Sequence, residues 1–118
     1  MATIKSFTDL PQSKVLAEFL PLESADMSYL SEESLVPKII YNGMAFFNSK
    51  EERPTNIIYC WSLTALLDVL PDYTLQTNTD GTVFVICDSK KPMISDAYSN
   101  PVDACYDIII KLHEQNLL

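Results

Sequence analysis

An α+β fold is what this sequence predicts: a small antiparallel sheet of three or more strands, with an N-terminal, a short central and a C-terminal helix packed on it. Three observations carry that expectation. Capping signatures open helical patterns at Asp9, Ser62 and Asn100. Alternating apolar runs flank the turn-forming pairs Asn42-Gly43 and Asp80-Gly81. The composition, 118 residues with 47% apolar and 20% charged, suits one domain with a real core and argues against disorder. Residues 1–118 therefore read as a single domain, with 1–7 the candidates for a disordered start.

Asp9 is an N-cap with Gln12 at N3, a variant of the capping box, and Pro11 is tolerated in the first turn, where its missing N–H costs nothing. Leu10, Val15, Leu16 and Phe19 form the expected apolar face, and Pro21 ends the helix. Residues 21–36 carry no decisive pattern. "KIIYNGMAFF" then predicts strands near 37–41 and 44–47 joined at Asn42-Gly43. "NSKEERPTN" reads as a polar loop.

The densest stretch is "IIYCWSLTALLDVLP", Ile57 to Pro71. With Ser62 as N-cap, Trp61 is N′ and Leu66 is N4, the two positions of a hydrophobic staple. Leu63, Leu66, Leu67 and Leu70 continue at helical spacing until Pro71. In the second hairpin, a two-residue Asp80-Gly81 turn would set Thr77 opposite Phe84 and Leu75 opposite Ile86. Tyr73, Leu75, Phe84 and Ile86 would then share one face. Val83 and Val85 make the second strand apolar on both sides, which places it mid-sheet. "PMISDAY" is the expected third strand, an edge because Pro92 starts it. Asn100, Pro101 at N1 and Asp103 at N3 open the last helix. Its polar stripe is Asp103, Asp107, Lys111 and Glu114. Val102, Cys105, Tyr106, Ile109 and Leu112 lie opposite, and Ile110 falls at the border, partly exposed.

Net charge is −8, from 16 acids against 8 bases. Phosphate-bearing partners would be repelled, so nucleic acid and anionic membrane are set aside; an acidic surface gives solubility, the commoner case, or a protein partner with a basic face. No apolar run is long enough to span a bilayer, and "MATIKSFTDLPQ" has no apolar h-region. A cytoplasmic location is expected. The three cysteines, Cys60, Cys87 and Cys105, are an odd number, widely spaced and in apolar company, which fits buried free thiols in a reducing compartment.

The block "CWSLTALLDVLP", the hairpin after it and "NPVDACYDIIIKLHEQ" resemble a group of short proteins encoded by gut-dwelling Bacteroidales and their phages or prophages. That group carries a Trp-Ser-Leu-x-x-Leu-Leu-x-x-Leu-Pro block, here Trp61 to Pro71, and a Pro-Val-Asp-Ala helix, here Pro101 to Ala104. "PQS", Pro11 to Ser13, stands where its members have "EQS" or similar. The resemblance covers 60–116 well, the first helix loosely and 21–56 not at all. It implies a shared fold and a small accessory or host-interaction role by analogy, with no biochemical activity attached.

Chemistry has few candidates. Cys60 beside Trp61 has the local look of a papain-type nucleophile, but the Gly and second Cys that precede such a pair are replaced by Ile58 and Tyr59. Its base would have to be His113, the only histidine. A buried structural cysteine is the favoured reading, and a thiol-dependent enzyme centred on Cys60 the alternative. A metal site of Cys60, Cys87 and His113 would need three distant elements to converge, and no C-x-x-C or H-E-x-x-H occurs. Two glycines, both in expected turns, exclude a P-loop or a dinucleotide fingerprint, so no cofactor is expected. Asp68 with Asp72, and Asp103 with Asp107, are spaced for acid–base work but read as solvated surface. Tyr29, Tyr41, Tyr98 and Ile110 are the candidates for an interaction surface, while Phe46 and Tyr59 read as core. The best functional expectation is a small acidic, non-catalytic protein that binds another protein. Self-association through a sheet edge or Ile110 is a third reading.

Overall fold

Two antiparallel sheets organise the chain in the computed structural model, which describes residues 5–29, 37–39, 57–88 and 91–118. The α+β class stands, with the strands divided between two three-stranded sheets. In the first, β1 (Met27–Tyr29) is central, between β2 (Lys38–Ile39) and β3 (Ile58–Cys60). In the second, β5 (Val83–Cys87) is central, between β4 (Tyr73–Thr77) and β6 (Met93–Ile94). The mid-sheet place of β5 and the edge place of the strand after Pro92 agree with the sequence reading. β1 falls in the stretch that gave no pattern, because three residues are too few to show a period. The Asn42-Gly43 hairpin lies outside the described residues.

The helices start where their caps are. α1 (Leu10–Ala17) has the full box: Asp9 accepts from Gln12 N, and the Gln12 side chain accepts from Asp9 N. It ends at Ala17, a turn ahead of Pro21, and a 3₁₀ turn at Leu22–Ser24 follows the proline. Its buried residues are Ser13 and Leu16, and Val15 stands out in solvent, contrary to the expected face. The reason is local: a buried hydroxyl partner, Thr8, draws Ser13 inward and rotates Val15 away. α2 (Leu63–Val69) is capped by Ser62 Oγ, and α3 (Pro101–Glu114) by Asn100 Oδ1, which accepts from Asp103 N at 2.8 Å. Trp61 and Leu66 are both fully buried in one cluster, as the staple requires.

The second hairpin is one residue out of the expected register. Thr77 faces Val83, and Leu75 faces Val85. A two-residue type I′ turn needs positive φ at both central residues. Gly81 has φ +89°, but Asp80 does not take a positive φ. Asp80 instead accepts from Thr82 N at 2.9 Å, and Asn78 O accepts from Gly81 N at 3.0 Å, which closes a three-residue loop. The slip exchanges faces, as any one-residue slip must. Tyr73 and Leu75 therefore lie on the same side as Val83, Val85 and Cys87, the side that α3 covers over β5. α3 packs mainly on β5 and β6, and all five residues of β4 are exposed.

One cluster of buried side chains runs through both sheets and all three helices, from Leu16 and Trp61 to Val85, Ile108 and Leu112. Residues 5–7 make contacts to the rest of the chain, while residues 1–4 of the expected disordered start lie outside the described residues. Phe7 bridges to Ser62, Leu63 N donates to Ser6 O, and Lys5 pairs with Asp103 at 2.7 Å.

Candidate functional site

Cys60 ends β3, inside a buried polar knot centred on Thr8. Thr8 N donates to Trp61 O at 2.9 Å, and Trp61 N donates back to Thr8 Oγ1 at 3.1 Å. Thr8 O accepts from the Tyr29 hydroxyl at 2.9 Å and from Cys60 Sγ at 3.3 Å. The Thr8 and Ser13 hydroxyls lie 2.8 Å apart. Burial pushes the Cys60 thiol up, against the pull of the Thr8 and Ser13 hydroxyls, and the nearby Asp26 charge adds to the rise. A nucleophilic thiolate needs the opposite environment. His113 stacks on Phe19, ring centroids 3.8 Å apart, and is not among the partners of this sulfur. Cys87 and Cys105 are also buried and free, and burial lifts the Cys105 thiol to about 12.

An open concavity lies elsewhere among the described residues. The Trp61 indole donates to Ser24 Oγ at 2.9 Å. Asp26 accepts from Ser62 N at 2.9 Å and from the Ser62 hydroxyl. These bonds pin the 3₁₀ turn and the start of β1 against the N-terminus of α2. The cleft that remains is an open groove of about 840 Å³, with Ala65, Leu67, Leu70 and Pro71 along it. Glu23, Asp26, Asp68 and Asp72 also line it, as does Tyr73, the first residue of β4. No lysine, arginine or histidine lines it among the described residues, and none of the four carboxylates joins an ion pair there. Such a surface attracts cations and offers apolar contact at once.

The expected site residues are scattered. Tyr29 is buried, not a surface residue: it sits on the central strand of the first sheet, its hydroxyl held by Thr8, and burial lifts its pKa to about 12. Tyr41 lies outside the described residues. Tyr98 and Ile110 are partly buried against the core, and Tyr98 exchanges backbone hydrogen bonds with Val83. Tyr59 is in the core as read. Asp103 and Asp107 are both engaged: Asp103 binds Lys5, Gln12 and Asn100, and Asp107 holds Lys111 and Asp96 N. Asp68 and Asp72, by contrast, come together on the groove. Their spacing singled them out, but Glu23 and Asp26 carry no sequence signal, because only the fold of 21–29 against α2 brings them there.

The chain matches no protein-family model, no curated protein and no solved structure. No helix among the described residues is long and apolar enough to cross a membrane. Among the same residues, no group of three or more His, Cys, Asp or Glu side chains could hold a metal ion.

Proposed function

We propose that this is a small protein-binding module, and that its acidic groove takes a basic, partly apolar segment of a partner protein. The observation that carries the reading is the groove itself: four carboxylates, several apolar side chains and, among the described residues, no base line it, on a chain of net charge −8. Electrostatic complementarity selects a cationic partner and speeds encounter, and the apolar lining residues supply contact area. A mobile-element accessory role, the one implied by the resemblance to Bacteroidales phage proteins, is of this kind.

The test uses a fluorescein-labelled nonapeptide with two lysines at each end of a Val-Thr-Val-Thr-Val centre, read by anisotropy at low salt. Asp68→Asn with Asp72→Asn weakens its binding by about three- to thirtyfold, on the scale of two exposed charge pairs. Glu18→Gln with Glu114→Gln makes the same change in net charge at exposed positions off the groove and leaves binding within about twofold. Equal weakening by both double variants, or equal binding of the glutamate-ended peptide, refutes the groove as the site.

A further inference from the structure

The groove shares Tyr73 with β4, a strand at the edge of its sheet among the described residues. β4 lies at the border of its sheet, and the hydrogen bonds at its two ends fix which backbone groups point outward. Asn78 N donates to Thr82 O at 2.7 Å, and Asp88 N donates to Asp72 O at 2.8 Å. Both pairs are in the register that sets Thr74 against Ile86 and Gln76 against Phe84. Hydrogen-bonded and non-hydrogen-bonded pairs alternate along an antiparallel ladder. The backbone groups of residues 72, 74, 76 and 78 therefore face β5, and those of Tyr73, Leu75 and Thr77 face away from it. Three N–H and three C=O groups stand in a row, without a backbone partner among the described residues.

Natural edges are commonly blunted by charge, proline, a bulge or shortness. The opposite edge of this sheet has such guards: β6 is two residues long and follows Lys91 and Pro92. β4 has none of them within its five residues, which are uncharged and exposed throughout. Tyr73 and Leu75 are 43% and 37% exposed, on the face of the sheet that α3 leaves uncovered at this strand.

We infer that the partner segment binds in extended form, as an added strand on β4, with its basic end continuing past Tyr73 into the acidic groove. This deepens the groove reading above and rests on it. Main-chain bonds to Tyr73, Leu75 and Thr77 supply affinity that depends little on sequence, and the carboxylates select the basic flank. A second copy of the chain is the poorer occupant. Each copy carries −8, and β4 is flanked by Asp72 and Asp80, so two such edges bring like charges together.

The same nonapeptide, N-methylated either at its three valines or at its two threonines, tests this on the unaltered protein. An added strand offers only alternate N–H groups to its neighbour. One methylation pattern weakens binding at least about tenfold, and the other changes it less than about threefold. Leu75→Pro removes one outward N–H, leaves the bonds to β5, and weakens the unmodified peptide to a similar degree. Circular dichroism confirms that this variant is folded. If both methylated peptides bind like the parent, strand addition is wrong while the groove reading survives. If the unmodified peptide does not bind at all, both readings fall. A dimer seen by light scattering, abolished by Leu75→Pro and undisturbed by the peptide, assigns the edge to a second copy instead.

Discussion

Thr8 shows how much one buried hydroxyl can organise. Its N–H, C=O and side chain all meet the Cys60–Trp61 junction or the groups around it, so each of its own polar groups finds a partner. The cysteine beside it is thereby a packed group and not an available thiol. Iodoacetamide at neutral pH is expected to leave Cys60, Cys87 and Cys105 unmodified in the native protein and to label all three after denaturation. Mass spectrometry of the labelled chain decides it. Selective alkylation of native Cys60 would restore the thiol-enzyme reading. At this scale the sequence was only half legible. The staple at Trp61 and Leu66 follows from spacing alone, since its members lie five residues apart at the N′ and N4 positions. The burial of Thr8, Ser13 and Tyr29 does not, because each is made tolerable by a partner that only the tertiary fold supplies.

Among the elements, the capped helices were the most legible, because a cap and its first turn are local in sequence. The hairpin shows the limit of such reasoning. Asp80-Gly81 correctly marks a turn, but the choice between a two- and a three-residue loop hangs on the φ of one aspartate and decides which face of β4 is apolar. The joints between elements were invisible for a different reason: they join residues far apart in the chain. Asp103 is the clearest of them, since it fastens α3 to Lys5 and to Gln12 of α1. Burial alone would raise its carboxyl. The bonds from Lys5, Asn100 and Gln12 outweigh that and hold it below the ordinary 3.8. A depressed carboxyl contributes stability that is present above the unfolded value and is lost as pH falls through the folded one. Asp103→Ala should therefore lower stability by about 1–2 kcal/mol at about pH 7 and by much less at about pH 2.5. Urea midpoints of both proteins at the two pH values give the comparison. An undiminished difference in acid would mean that the aspartate acts by packing and not by charge.

For the whole molecule, the excess of acids is the governing quantity. Sixteen carboxylates against eight bases, on a body with a radius of gyration of 14.8 Å, repel one another over distances that salt can screen. Raising NaCl from a few millimolar to about 0.3 M should raise the thermal midpoint, since screening relieves this repulsion more than it weakens the few exposed ion pairs. The same salt should weaken binding of the lysine-ended peptide. A midpoint that falls with salt would show that attractive pairs outweigh the surplus of negative charge. Composition alone made this scale readable, but not the gathering of four carboxylates on one groove, which needs the fold of 21–29 against α2.

The anchoring of the N-terminal segment also sets the order of events during synthesis. The ribosome delivers Thr8 more than fifty residues ahead of Trp61, and Lys5 must wait until 98 further residues have been joined before Asp103 exists. Residues 5–8 thus complete their contacts late: in a nascent chain stalled before the final helix, Lys5 would lack Asp103, and this stretch would rest on its bonds to Trp61 and Leu63.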